Sequence, residues 1–507
     1  MRWRVLCAVG LAVAGVRVGA GGGSRGGQLS WWADGYLSAD ADSLLAAIGD
    51  VGADGLDPSA YVDSALLARI DSARGGAMAA PDARAALDSA LTSLFVRVAH
   101  DLADGPLDPT IVDTMWTTVP HHLDPTAALE GALRAHEVRA ALAAFAPPQP
   151  GYRALRIELA RLDDAIAAGG WPVVMPGPEL QRGARGPRVY ALRRRLLDEG
   201  DLPTTDSLPA AVFDSSLAEA VRRFQMRHGL PADGRVGEET EALLAVPVTE
   251  LARRIRVNMM RWRWLPRSPS PRLVLVNTPD ATLTLTDSAT PPITVRVVAG
   301  ALDWPTPILA AHITDVVLHP TWQVPPAIVR AEMLPAERDD VHALARLGVG
   351  VWRNGNGSLV AVDPDSVDWR ALGDSAATLF RFRQPPGPDN PLGQIKFTVP
   401  NRFGVAVHDT PARGLFQASS RFYSHGCVRV ELPERIAARL LSGWDGWSAD
   451  SLGAALAAGE ELEIPLPTPV PIEFVYRTAW VDEMGRLEWR SDIYGWDREL
   501  AAALGGD

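Results

Sequence analysis

The amino-acid sequence predicts a multidomain α+β protein. It has a helical N-terminal scaffold, a small three-helix module and a mostly-β domain with an inserted, lid-like subdomain. Three observations predict this. A chain of 507 residues is long enough for about three domains at roughly 150 residues each. Apolar residues recur at helical spacing as far as Trp262, and from Arg272 they change to short alternating runs. Clusters of Pro and Gly separate the pieces.

The composition, 47% hydrophobic and 22% charged, is that of an ordinary globular protein with ample core material. A formal charge of −12 argues against nucleic acid and against an anionic membrane surface as partners. No block of five or more like charges suggests a charged tail.

The first residues read "MRWRVLCAVGLAVAGVRVGAGGGS". Arg2 and Arg4 precede the apolar run Val5–Val16, and Val18, Gly19 and Ala20 supply a small-residue cleavage site. Residues 1–20 are therefore expected to be an export signal, followed by a Gly/Ser-rich linker over 21–30. The run is shorter than the ~20 residues of a spanning helix, and no other stretch could span a bilayer, so the mature chain is expected to have no integral span. Arg4 stands three before Cys7 where a lipoprotein signal would have Leu. With the leader gone, Cys427 is the only cysteine and has no disulfide partner within the chain.

Residues 31–175 read as a helical domain. Leu87, Leu91, Leu94, Phe95 and Val98 recur on one helix face, and "ADGLDPSAY" and "ADGPLDPT" mark turns. Over 180–248, Val189, Leu192, Leu196 and Leu197 form one stripe and Leu217, Ala220, Val221 and Phe224 another. Gly229 ends the second helix, Asp233–Gly234 turns the chain, and Glu238–Leu244 starts a third helix. Carried by Gly186, Leu192, Asp214, Phe224, Gln225, Gly229, Asp233, Gly234, Gly237 and Thr240, this module resembles the peptidoglycan-binding module of cell-wall enzymes. The resemblance implies tethering to the wall, not catalysis. A connecting helix spans 249–270, with Ile255, Met259 and Trp262 on one face.

The β-rich domain is expected over 271–445, beginning with "RLVLVN", "ATLTLTD" and "ITVRVVAG". Helix-like stretches mixed with loops at about 324–385 form its insertion, either a lid or a plain second lobe. Residues 446–507 are expected to add a C-terminal helix and strands packed on the scaffold and catalytic domain, with "PIEFVYRTAW" and "GRLEWRSDIYG" paired around "DEMG".

The chemistry concentrates in "VAVHDTPARGLFQASSRFYSHGCVRVELP", residues 405–433. Both "GVAVH" and "GCVRVEL" alternate as strands, so Cys427, Arg429 and Glu431 share one face and Val428 and Val430 the other. A thiol of pKa ~8.5 needs a base to attack at neutral pH. His408 on an adjacent strand suits that role, and such assistance is worth roughly 10²–10⁴-fold. Gly426 clears space for an approaching carbonyl, and nearby backbone N–H groups can stabilise an oxyanion. Asp409 follows His408 directly, so its side chain points away and its backbone carbonyl is the better helper. Arg429 either pairs with a neighbouring acid or receives a substrate anion. On the residues alone, two alternatives stay open: an inert buried thiol, and a zinc site of His408, His425, Cys427 and Asp409. The spacing is loose for zinc, and no metal or cofactor is expected.

"HDTP" followed by "SHGCVRV" resembles the L,D-transpeptidase catalytic domain, the YkuD-type fold. "HPTWQVPP", "RQPPGPDNPLGQIKF" and the preceding module extend the likeness to the large Gram-negative members, from about Trp171 to Tyr494. The resemblance implies Cys427 as nucleophile and His408 as general base and acid, with the Asp409 backbone orienting His408. His425, Gly426 and Arg429 would shape the acyl and oxyanion site. It also implies a periplasmic, cell-envelope enzyme acting on peptidoglycan stem peptides and glycan, and acylation by carbapenems. Ala406 departs from the pattern, since those members commonly carry an aromatic two residues before the histidine, which bears on the donor pocket. Two other readings are a sortase-like cysteine transpeptidase and a non-catalytic wall-binding protein.

Overall fold

A computed structural model describes residues 30–505 apart from 77–79, 118, 120, 204–210, 269, 289, 356–357 and 445. The expected leader at 1–20, and all but the last residue of the expected linker, lie outside the described residues. Among the described residues no helix is long and apolar enough to cross a membrane.

Helices Ala39–Asp50, Ser64–Arg74, Pro81–Ala103 and Pro125–Ala135 open the chain. Asp63 and Asp124 start two of them by accepting the N–H groups of Leu66 and Ala127 at 2.7 and 3.0 Å, satisfying donors that a helix leaves without partners. Leu87, Leu91, Leu94, Phe95 and Val98 all fall on the buried face of Pro81–Ala103, as their spacing predicts. Helix Pro150–Ala167 presents Tyr152, Leu155, Leu159 and Leu162 to Leu251, Ile255 and Met259 of the connecting helix Val248–Trp262.

The small module comprises helices Pro187–Asp198, Ser215–Arg227 and Glu238–Leu244 around Leu192, Leu196, Leu217, Val221 and Phe224. Asp214 caps the second helix, and Gly229 ends it at φ 71°, a conformation that favours glycine. Beside it Arg227 binds Asp201 and Glu199, and Arg195 shares Glu199. Burial pushes the Glu199 carboxyl up, but the two guanidiniums override it and hold it at about 2. His228 stacks on Phe224 with ring centroids 4.0 Å apart. Burial lowers its pKa to about 3, so the ring is neutral. The neighbouring Arg227 carbonyl accepts from Arg490 at 3.2 Å, which ties the module to the C-terminal part of the chain.

Eight strands of the β-rich domain close on themselves. In hydrogen-bonded order they are Thr290–Gly300, Val428–Val430, Val407–His408, Ile395–Thr398, Leu309–Leu318, Leu462–Val475, Arg272–Asn277 and Thr282–Asp287, which pairs back to the first. Phe422–Ser424 adds a ninth beside Thr290–Gly300. Closure leaves few free edges, and Val, Ile, Leu and Phe side chains from every strand of the ring fill the interior.

The segment between Leu318 and Ile395 has a core of its own, including Val329, Leu334, Leu344, Trp369 and Phe382. It also has a four-stranded sheet of Trp322–Gln323, Phe380–Gln384, Gly350–Gly355 and Ser358–Val362. The sequence suggested only helices and loops there: Phe380–Gln384 pairs with Trp322–Gln323 and Gly350–Gly355 across long separations, while Gly350–Gly355 and Ser358–Val362 form a short local pair.

The expected hairpin of "PIEFVYRTAW" with "GRLEWRSDIYG" is corrected in part. Ala479–Val481 pairs with Leu487–Trp489 around the Asp482–Gly485 turn. Ile472–Val475, however, runs inside the main sheet between Leu309–Leu318 and Arg272–Asn277. Its alternate residues Ile472 and Phe474 enter the barrel core, and Val475 packs against the connecting helix. Trp116, Trp264, Tyr476, Trp496 and Leu500 then form a buried cluster that joins scaffold, connecting helix and C-terminal helix Trp496–Ala503.

His228 and Glu199 make the module sensitive to acid. Each has a folded pKa below its unfolded one, so unfolding takes up protons and stability falls with pH. The Glu199 contribution is present above about 4.5 and lost towards 2; the His228 penalty grows from about 6.5 down to 3. The expected slope for His228 is at most about 1.4 kcal/mol per pH unit. Urea unfolding of the module between pH 7 and 4 should show this slope, and His228→Asn should flatten it.

Candidate active site

Strand Val407–His408 runs parallel to Val428–Val430, with Val407 opposite Val428 and His408 opposite Arg429. Alternation sends Val407, Val428 and Val430 into the barrel core and leaves His408, Cys427 and Arg429 on the other face. Cys427 comes one residue before its strand and lies beside Ala406, whose N–H points at the sulfur with N and Sγ 3.4 Å apart. On its other flank His408 is opposite Lys396 of Ile395–Thr398. Lys396, His408 and Arg429 thus form a row across three strands.

His408 is buried, at 4% exposure. Its Nδ1 lies 2.5 Å from the Asp409 carbonyl. A carbonyl only accepts, so the proton is on Nδ1 and the Nε2 lone pair is left for a proton from elsewhere. The Asp409 side chain turns the other way. One oxygen accepts the Gln394 N–H at 2.8 Å, and the other pairs with Arg413 at 2.6 Å.

His425 lies on the rim. Its Nε2 meets the Glu332 carboxylate of the insertion at 2.7 Å, and its ring stands edge-on to Trp304 with centroids 5.0 Å apart. Glu332 belongs to a single π-helical turn, Val329–Met333, a distortion often found at functional positions. Gly426 has φ 94°, where a side chain would be strained. Arg429 is half-buried, and its Nε has no hydrogen-bond partner among the described residues.

Burial dominates the electrostatics. It lowers His408 to about 4; the Asp409 carbonyl opposes this, and the positive charges of Arg429 and Lys396 add to it. Burial also pushes the Cys427 thiol up, against the Ala406 N–H and the same two cations. At neutral pH the pair therefore rests as thiol and neutral imidazole. Such a site can pass the thiol proton to Nε2 as the sulfur attacks, and later return it to a leaving group.

The structure thus brings Cys427, His408, Arg429, Gly426 and the Asp409 carbonyl together, with His425 at the edge. Sequence reasoning missed two neighbours. Lys396 lies in the strand-like "GQIKFTVPN", but only the strand register brings it beside His408. Glu332 arrives from another subdomain and has no local signal.

Comparison with known proteins matches three segments. Residues 23–159 match the family described as "Scaffold domain", 185–244 "Putative peptidoglycan binding domain" and 271–471 "L,D-transpeptidase catalytic domain". A curated protein of Haemophilus influenzae named "Putative L,D-transpeptidase" is 34% identical over 209 residues, 41% of this chain and 41% of that one. The chain thus spans about two fifths of the length of that relative. Among solved structures, an L,D-transpeptidase from Xylanimonas cellulosilytica aligns at 18% identity and TM-score 0.19, over 59% of this chain and all of that one. One from Stackebrandtia nassauensis aligns at 12% identity and TM-score 0.21, over 59% of this chain and 97% of that one.

The neutral resting pair has a measurable signature. With the thiol above its ordinary pKa and His408 at about 4, alkylation of Cys427 by iodoacetamide should rise about tenfold per pH unit from pH 6 to 8. A rate plateau between pH 5 and 8 would instead reveal a preformed thiolate–imidazolium pair.

Proposed function

We propose that this chain, which carries an L,D-transpeptidase catalytic domain, a scaffold domain and a peptidoglycan-binding domain, remodels peptidoglycan by cysteine acyl transfer in the periplasm. The observation that carries this reading is the shared face of Cys427 and His408, with Nδ1 of His408 turned onto the Asp409 carbonyl.

The donor is a tetrapeptide stem. Nε2 of His408 takes the Cys427 proton as the sulfur attacks the carbonyl at the L-centre of diaminopimelate. The carbonyl electron pair moves to oxygen, then collapses to break the C–N bond. His408 returns the proton to the leaving nitrogen, and D-alanine departs. The side-chain amine of an acceptor stem then attacks the thioester, joining two diaminopimelates and restoring the thiol. The backbone N–H of Cys427 suits the developing oxyanion, whereas that of Gly426 donates to the Ser424 hydroxyl at 3.2 Å. The unpartnered Nε of Arg429 and the Lys396 ammonium suit the carboxylates of the stems.

Mass spectrometry of the purified chain with a carbapenem should find one adduct, on Cys427, absent in Cys427→Ala. His408→Ala should slow its formation by roughly 10²–10⁴-fold. An adduct that survives Cys427→Ala sinks the reading. Muropeptide products identify the acceptor: cross-linked diaminopimelates for the transpeptidase, shortened stems for water, a protein–wall conjugate for a protein amine. Cleavage of a sorting peptide without muropeptide products would mark a sortase-like enzyme.

A further inference from the structure

The turn that carries Cys427 is held from beneath by two hydroxyl groups remote from it in the chain. Thr306 is fully buried. Its Oγ1 donates to the Gly426 carbonyl at 2.9 Å and accepts the Gly300 N–H at 2.9 Å. The Tyr494 hydroxyl donates to the Gly300 carbonyl at 2.7 Å and accepts the Thr306 N–H at 3.3 Å. Tyr494 is wedged among Phe422, Tyr476 and Trp496, at centroid distances of 6.5, 5.6 and 4.9 Å. The loop from Gly300 to Thr306 folds back so tightly that a Cβ on Gly300 would lie 2.1 Å from the Trp304 carbonyl oxygen and 2.7 Å from the Thr306 nitrogen.

This contact fixes a direction. In a trans peptide the C=O and N–H of one plane point opposite ways. The Gly426 carbonyl is drawn inward onto Thr306, so the Cys427 N–H of that plane points the opposite way, away from Thr306. Gly426, at φ 94°, permits the plane to take that setting. On the far side of the residue the Ser424 hydroxyl holds the Cys427 carbonyl, so the orientation does not rest on the sulfur.

We propose that Thr306, braced by Tyr494, is a positioning residue for acyl transfer: it aims the Cys427 N–H at the oxyanion of the tetrahedral intermediate. The inference rests on the acyl-transfer reading above. When the sulfur bonds to the carbonyl carbon, the C=O electron pair moves to oxygen, and the aimed N–H receives that charge without rearrangement. Thr306 touches neither substrate nor sulfur; it acts through the Gly426–Cys427 peptide.

Two reactions of one thiol separate this role from general support of the fold. Alkylation by iodoacetamide displaces iodide at a saturated carbon and forms no oxyanion. Acylation by a carbapenem opens a carbonyl and does. In the full chain, Thr306→Val should slow carbapenem acylation by about 10²-fold and Tyr494→Phe by about tenfold. Alkylation at the same pH should stay within about twofold of wild type, and Thr306→Ser should restore acylation. Equal loss of both reactions, or wild-type acylation in Thr306→Val and Tyr494→Phe, overturns the proposal. A wild-type chain that is alkylated but never acylated overturns the acyl-transfer reading and this inference with it.

Discussion

The parallel pairing of Val407–His408 with Val428–Val430 is short, and so it depends on its surroundings. A few ladder bonds hold no register by themselves. Val407, Val428 and Val430 are at most 1% exposed within the barrel, and each contributes on the order of 1.5–3 kcal/mol by burial. A slip of one residue would turn those valines outward and push the histidine, thiol and guanidinium towards the core. Hydrophobic packing on one side of the sheet thus keeps the polar chemistry of the other side in register. The ring of strands beyond supplies the rigidity that such a short pair lacks.

The same burial explains the state of the site. Two cations beside a thiol and an imidazole should favour a thiolate and disfavour an imidazolium. The thiol nevertheless lies above its ordinary pKa, because desolvation outweighs Lys396 and Arg429. For the imidazole, desolvation and the cations act in the same direction. A neutral pair has no resting charge to solvate, and it leaves Lys396 and Arg429 to face whatever anion enters. On the proposed acyl transfer, charge would develop only in the reacting complex, where fixed backbone donors are most effective.

The site was legible in the sequence wherever function follows local periodicity. Alternation in "GVAVH" and "GCVRVEL" divided Cys427 and Arg429 from Val428 and Val430, and adjacency to His408 pointed to the Asp409 backbone before its carbonyl was seen 2.5 Å from Nδ1. Lys396 needed register, which two strand-like runs do not specify. Glu332 needed the folded insertion, whose sheet pairs Trp322 with Gln384 and Trp352 with Arg381. Tyr494 and Thr306 are 188 positions apart, and a lone hydroxyl carries no pattern at all. "PIEFV" was recognisable as a strand, but a strand-like run does not name its partners, so its place inside the main sheet required the whole fold.

The insertion leaves the barrel after Leu318 and returns at Ile395, and these two residues are direct partners across adjacent strands. Topologically, residues 319–394 are one hairpin loop grown into a subdomain with its own sheet and core. A loop whose ends are already neighbours can lengthen, shorten or be exchanged at little entropic cost, and the strands that carry His408 and Arg429 need not shift. Inheritance can therefore revise the roof that brings Glu332 to His425 while leaving the chemistry beneath it intact. In this architecture the subdomain that supplies Glu332 and the strands that supply His408 and Arg429 are free to vary on separate schedules.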